Sequence, residues 1–238
     1  VPATLSFPVL PSAQSMYLVT AATPFELDPL LRACPPGARF ESLVCGVGPV
    51  EATLRLTALL ARREAAGAPR YRGVVNIGVA GAYRLAENSA NLLDLCLAER
   101  EVLGDLGICD ETAIVSLRSD TLEILDTFAL DGPLLAEAAS VLAGGGMSCR
   151  RGTFVTVSCV SGTSRRGDLL ARQHQGLCEN MEGAAAARVC REFGLPFLEL
   201  RCVSNLVEER DLRKWRLREA CDRCGEAAAL LLQGLRHD

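Results

Sequence analysis

The sequence lacks the features that mark several specialised protein classes. No run is apolar for long enough to cross a bilayer as a helix, and no repeat or long linker divides its 238 residues. Basic residues are neither in excess nor clustered: 25 Lys+Arg stand against 29 Asp+Glu, for a formal net charge of −4. With a pI of about 5.4 and scattered arginines, the chain has no electrostatic footprint for a phosphate backbone, so nucleic acid is excluded as the expected partner. The first 25 residues carry no charge, yet Pro2, Pro8, Pro11 and Pro24 interrupt them and no basic stretch precedes the apolar part, which argues against a spanning or targeting helix. Residues 1–15 are read as a leader or a non-native extension, and residues 16–238 as the folded domain.

Cysteine, by contrast, is abundant. Eleven thiols are dispersed, mostly inside apolar runs, the pattern of buried reduced cysteine in a cytoplasmic protein. Cys221 and Cys224 form one C-x-x-C, but no second pair and no nearby His completes a zinc site, so no metal is expected. No membrane association and no cofactor are expected either.

A hydrophobic fraction of 49% with 23% charged residues suits one compact α/β domain. β-prone runs at Tyr17 to Ala22, Arg39 to Gly46, Gly73 to Val79, Leu92 to Val102, Gly152 to Val160 and Pro196 to Ser204 alternate with helical patterns. Those patterns, Val50 to Ala66, Leu134 to Ala143, Glu182 to Phe193 and Asp211 to Leu235, are rich in Ala, Leu, Arg and Glu. The alternation predicts a three-layer α/β/α sandwich around a parallel or mixed central sheet, with ligands at the carboxyl ends of strands.

Three glycine-bearing turns follow the expected strands: Gly46-Val47-Gly48-Pro49, Gly78-Val79-Ala80-Gly81-Ala82 and Ser161-Gly162-Thr163. The first has Glu51 where a dinucleotide fingerprint needs its third glycine, and no phosphate-binding Lys-Ser/Thr follows elsewhere. These turns are either tight connections or places where backbone approaches a ligand. Carboxylates at strand ends carry more information, because charge in apolar surroundings is costly unless paired or used. Glu26 follows the first strand and Glu182 opens an Ala-rich helix. Each is either a helix-terminal charge favoured by the macrodipole or a site carboxylate. Arg201 lies inside an apolar strand ending in Ser204-Asn205; a buried arginine needs a carboxylate or ligand partner, and the Asn205 amide can both donate and accept at the edge of a heterocycle. The residues alone thus point to a small-molecule site built from Glu26, Glu182, Arg201 and Asn205.

From about Met16 to the last helix, these segments resemble the nucleoside phosphorylase and nucleosidase superfamily. Asn76-Ile77-Gly78-Val79-Ala80-Gly81-Ala82 resembles its Asn-x-Gly-x-Ala-Gly-Gly turn, Met181-Glu182-Gly183-Ala184 its Met-Glu-x-x-Ala helix start, and Arg201-Cys202-Val203-Ser204-Asn205 its Arg-x-Ile-Ser-Asp strand end. Gly104-Asp105-Leu106-Gly107, the Ser-Asn ending and Arg210-Asp211 before Trp215 are most similar to the futalosine hydrolases of the alternative menaquinone route. That resemblance implies a purine nucleosidase that releases hypoxanthine from futalosine and leaves dehypoxanthine futalosine, working as a homo-oligomer.

The resemblance also implies roles. Glu26 orients and deprotonates the attacking water, Arg201 holds that water or its carboxylate, and Glu182 binds the ribose hydroxyls and stabilises the cationic ribosyl centre. Met181 packs against the sugar, Ala80, Gly81 and Val160 lie beside the base, and Asn205 faces N7 and the six-position. Trp215 either lines the site for the 5′ substituent or anchors the last helix. Two departures sharpen the expectation. Asn205 stands where methylthioadenosine nucleosidases have Asp, and an amide that donates N–H suits a 6-oxo purine. Val79 stands where those enzymes often have Ser. Superfamily phosphorylases carry arginines near the first turn for phosphate, whereas this chain reads Ala-Thr-Pro-Phe-Glu there, so water is the expected nucleophile. The alternatives are a methylthioadenosine/adenosylhomocysteine or aminodeoxyfutalosine nucleosidase, a nucleoside phosphorylase, and a noncatalytic nucleoside-binding protein.

Overall fold

The computed structural model describes residues 16–85, 89–110, 113–115, 117, 121, 124–208 and 210–235. The expected leader, residues 1–15, lies outside the described residues.

The elements run β1 (Tyr17–Ala21), α1 (Pro24–Ala33), β2 (Phe40–Val44), α2 (Pro49–Ala65), β3 (Gly73–Ala82), β4 (Leu95–Leu103), β5 (Ile108–Cys109), β6 (Ile114–Val115), β7 (Thr127–Ala129), α3 (Gly132–Gly144), β8 (Cys149–Thr156), α4 (Ser164–His174), β9 (Gly176–Asn180), α5 (Gly183–Glu192), β10 (Phe197–Leu206) and α6 (Leu217–Gly234). The main sheet has the order β10-β4-β8-β9-β3-β1-β2, and β10 also pairs with β3. Five strands therefore close a ring, from which β1 and β2 extend and to which β7 adds along β4. Pairing is mixed: β10 runs parallel to β3 but antiparallel to β4, and β9 antiparallel to β3.

Helices cover this sheet on both faces, the three-layer α/β architecture expected. The period of two along each strand divides the core. On β1, Val19 and Ala21 pack with α1, α3 and α6 residues such as Leu30, Leu142 and Ala228, while Leu18 faces Leu56, Leu60 and Ala187 of α2 and α5. On β10, Leu198, Leu200 and Cys202 join the first cluster; Glu199 and Arg201, on the opposite face, are buried toward α5. The alternation that builds the core thus sends two ionisable groups inward. No helix among the described residues is long and apolar enough to cross a membrane.

Several boundaries differ from the sequence reading for local reasons. The helix expected from Asp211 begins at Leu217 instead. Asp211 caps a separate 3-10 turn, Leu212–Lys214, and the Arg216 N–H donates to Ser204 O at 2.8 Å, which ties the intervening segment to the end of β10. β8 stops at Thr156 rather than Val160, because the N–H groups of Ser158 and Cys159 donate to Asp105 at 2.9 and 3.2 Å in place of a strand partner. Gly144 ends α3, Gly145 is its C-cap and Gly146 continues the turn that leads to β8. Six elements are absent from the expected runs: α1, disguised by Pro24 at its start and Pro29 inside it, the polar α4, and the short β5, β6, β7 and β9.

Candidate active site

At the carboxyl ends of β1, β3 and β10 lies an open cavity of about 380 Å³, within the usual range for a small-molecule site. Every residue singled out from the sequence lines it: Glu26, Ala80, Gly81, Val160, Met181, Glu182, Arg201 and Asn205. Trp215 and Arg210 line it too, with the Arg210 guanidinium 5.0 Å from the Trp215 ring centre. Trp215 is half-buried and belongs to none of the hydrophobic clusters, so of its two readings the cavity-lining one holds.

Glu26 occupies the third position of α1 and completes a capping box with Thr23. Its Oε2 accepts from the Thr23 N–H and hydroxyl at 3.2 and 3.0 Å, an arrangement worth about 1 kcal/mol to the helix start. Its Oε1 accepts from the Val79 N–H at 3.2 Å. Helix-terminal charge and cavity carboxylate are therefore the same residue. Burial raises its pKa above the ordinary carboxylate value; Arg201 partly offsets this and Glu182 adds to it.

Glu182 precedes α5 but makes no capping bond. Asn180 does that work, its Oδ1 accepting from the N–H groups of Glu182 and Gly183 at 2.9 and 2.8 Å. The Glu182 carboxylate is thereby free to cross the site, where Oε1 accepts from the Gly48 N–H at 2.9 Å and Oε2 meets Arg201 at 3.4 Å. Gly48 has φ of 89°, a conformation that favours glycine. The Gly46-Val47-Gly48-Pro49 turn thus presents a backbone donor to a carboxylate.

Arg201, 1% exposed, gathers the carboxylates. It contacts Glu199 at 2.8 Å and Glu182 at 3.4 Å and donates to Val79 O at 3.3 Å. Burial works against its charge, but Glu199, Glu182 and Glu26 outweigh it and raise the arginine pKa further. Gly78 makes this convergence sterically possible, since a Cβ there would overlap both the Arg201 guanidinium and the Glu26 carboxylate.

The other end of the cavity is built differently. The β10–β3 register shifts between Val203 and Asn205, a bulge that re-aims the side chain after it. The Asn205 Oδ1 accepts from the Ser204 hydroxyl at 2.9 Å, and Nδ2 donates to Leu206 O at 3.3 Å. One lone pair of Oδ1 is thereby used, and the other lone pair and the second Nδ2 hydrogen are what the amide can offer a ligand. Beside it, Glu179 accepts from the Ser161 N–H and hydroxyl at 2.8 and 2.7 Å and from the Tyr83 hydroxyl at 3.2 Å, fixing the loop that carries Val160. Burial raises the Glu179 pKa, and the Ser161 bonds counter that rise.

Glu179 and Asn180 were not identified from sequence, nor were Glu101, Thr156 and Glu199 beneath them. The available signal was the burial of several acids in β-prone runs, which the strand period alone does not assign to a common face. Among the described residues no group of three His, Cys, Asp or Glu is placed to hold a metal ion.

The sequence profile of the phosphorylase superfamily matches residues 41–235. The futalosine hydrolase of Streptomyces coelicolor is 34% identical over 234 residues, covering 90% of this chain and 95% of that protein. That of Thermus thermophilus is 33% identical over 199 residues, 82% of each. Among solved structures, the native futalosine hydrolase of Helicobacter pylori superposes with a TM-score of 0.77 at 20% identity, over 93% of this chain and 99% of that one, a likeness of fold.

Proposed function

The chain belongs to the phosphorylase superfamily, and from that premise we propose that it is a futalosine hydrolase, a nucleosidase that cleaves the N-glycosidic bond of futalosine with water. The observation that carries this reading is the buried guanidinium of Arg201, paired with Glu182 and within electrostatic reach of Glu26, opposite an amide that keeps an N–H to donate. Futalosine hydrolases of two organisms, similar over most of the chain, support the substrate.

Cleavage builds positive charge on the ribosyl centre and negative charge on the departing purine. Glu26 takes a proton from the attacking water; its raised pKa brings it nearer to neutrality, where a general base is most effective. Glu182 binds the ribose hydroxyls and its charge stabilises the oxocarbenium-like centre. Arg201 holds both carboxylates in place, and Met181 packs against the sugar. Ala80, Gly81 and Val160 flank the base. The Asn205 Nδ2–H donates to N7 or the 6-oxo group of hypoxanthine as charge builds there. The reaction leaves a hydroxyl on ribose C1′ and a proton on the released base. A phosphate nucleophile is disfavoured because Arg201 is already paired with Glu182 and Glu199, and the Glu26 and Glu182 carboxylates would repel it.

The enzyme works in the cytoplasm, a reading supported by its eleven free thiols, and as a homo-oligomer. Val47, Val50 and Leu54, on the turn before α2 and its first turns, are 56%, 78% and 61% exposed, an apolar surface beside the cavity that a second copy would cover; light scattering of the purified protein tests it. Trp215 contacts the 5′ substituent.

The test is incubation with futalosine, its 6-amino analogue, methylthioadenosine and inosine, with and without phosphate, followed by chromatography of the released base. Phosphate-independent hypoxanthine from futalosine is the expected result. Preferential adenine release, phosphate dependence, or binding without release would overturn the assignment.

A further inference from the structure

Below the cavity floor two glutamates face each other. Glu101 on β4 and Glu199 on β10 are both completely buried. Glu199 Oε1 accepts from Asn76 Nδ2 at 3.0 Å and from Arg201 Nε at 2.8 Å, whereas Oε2 is buried without a hydrogen-bond partner. The Glu101 carboxyl accepts from the Thr156 hydroxyl at 2.7 Å and from Asn180 Nδ2 at 2.6 Å. Glu101 Oε1 and Glu199 Oε2 crowd one spot, since a Cβ on Gly183 would overlap both.

Two ionised carboxylates there would be desolvated and would repel each other, and Arg201, which already pairs with Glu182 as well as Glu199, makes no bond to Glu101. A carboxyl proton on the Glu101 side removes the repulsion and supplies the donor that Glu199 Oε2 lacks. We propose that Glu101 is a neutral acid sharing its proton with Glu199, and that this shared proton positions Arg201 and Glu182 for the reaction. Burial first, and then the Glu199 charge, hold the Glu101 pKa well above the ordinary carboxylate range. The other titratable groups facing the pair are Arg201 on β10, Glu182 at the head of α5, Cys178 on β9 and Cys96 on β4.

The pair reaches the site along two branches. Glu199 grips Arg201 at Nε, and Arg201 meets Glu182 and Val79 O. Glu101 orients Asn180, whose Oδ1 holds the backbone N–H groups of Glu182 and Gly183. Thr156 ties the branches together, bonding to Glu101 and Asn180 while accepting from the Ala184 N–H at 2.7 Å. Ionising Glu101 would add a negative charge beside Arg201 and turn the bond to Glu199 into a repulsion, loosening both anchors. Glu101 is thus a positioning residue.

The positioning role rests on the nucleosidase reading; the proton itself does not, and two measurements without substrate test it. At neutral pH the infrared spectrum should contain the carbonyl band of a buried protonated carboxyl group that is absent from Glu101→Gln. Thermal melting supplies the second. Because the folded-state pKa is raised, the wild type loses stability as pH rises above the ordinary carboxylate range, where unfolded Glu101 releases its proton and folded Glu101 keeps it. Glu101→Gln lacks this component, so its melting temperature should gain on the wild type from pH 5 towards pH 8. A missing band, or a melting difference that stays flat, would overturn the shared proton. With futalosine, Glu101→Ala should lower kcat about tenfold, the order expected for loss of one supporting contact to a ligating side chain, and Glu101→Gln, which keeps a donor, should restore most of it and remove the alkaline fall of kcat. An alkaline limb unchanged in Glu101→Gln would overturn the positioning role even if Glu101→Ala does not fold. A wild type that releases no base while showing the band would instead fault the functional reading.

Discussion

The two ends of the cavity contrast in how they hold polar groups. Around Arg201, charge is dense and mostly paired: Glu182 and Glu199 contact its guanidinium, Glu26 lies within its electrostatic reach, and the Gly48 and Val79 N–H groups donate to Glu182 and Glu26. Around Asn205 the walls are mostly apolar, made by Ala80, Gly81, Val160 and Trp215, and the two charged groups there are held apart from each other, Glu179 by Ser161 and Tyr83 and Arg210 over the Trp215 ring. The charged end is over-determined, so its geometry exists before substrate arrives, the condition for electrostatic stabilisation of a transition state. The Asn205 end keeps an unspent N–H and apolar walls, which suits discrimination of one base from another. Under the proposed function, reaction and recognition are separated along one cavity.

The contrast can be broken most severely at the charged end. Glu26→Gln preserves shape but removes the base, and kcat should fall by about 10²–10⁴ while nucleoside binding, followed by calorimetry, persists. A variant with near-normal turnover would remove Glu26 from the chemistry. Gly183→Ala inserts a methyl group between Glu101 and Glu199. Overpacking of this kind should cost about 1–3 kcal/mol in denaturant unfolding, and an unaltered midpoint would contradict the crowding. The same end sets the pH response. Because burial raises the Glu26 pKa and the base acts when deprotonated, kcat/KM should fall on acidification at a pH above the ordinary carboxylate range, and Glu26→Gln should lose that limb.

At the Asn205 end smaller and more selective changes are expected. Asn205→Asp should move the ratio of kcat/KM for 6-amino over 6-oxo substrates upward by about tenfold, the worth of one hydrogen bond of roughly 1.4 kcal/mol. No change in that ratio would mean that Asn205 does not read the base. Trp215→Ala should raise KM for futalosine about tenfold or less, with kcat and the inosine reaction little altered, since it removes contact area distant from the reacting bond. Equal losses on both substrates would return Trp215 to a purely structural role.

Much of this division was visible in the chain itself. The strand and helix alternation predicted the layered architecture, and the ends of β1, β3 and β10, the loop after β8 and the head of α5 supplied the residues assigned to the cavity. Periodicity did not disclose α1, since two prolines disguise a ten-residue helix, nor the break before α6, which depends on a bond from Arg216 to Ser204 on another element. The acids beneath the site were similarly hidden. Glu101 and Glu199 are 98 positions apart and look like ordinary polar interruptions in apolar runs, and only the folded sheet, with β4 beside β10, brings their carboxylates together at Gly183.

By itself, the order of residue types determined which groups carry chemistry and which strand ends present them, because side-chain chemistry and the two-residue strand period are local properties. The pairing of Arg201 with Glu182 and Glu199, the bond from Ser204 to the Asn205 oxygen, and the protonation of Glu101 were decided only by the tertiary structure. Each depends on the distance, burial and neighbouring charge that separate segments impose on one another, and those electrostatic terms come into being only when the sheet closes and excludes water.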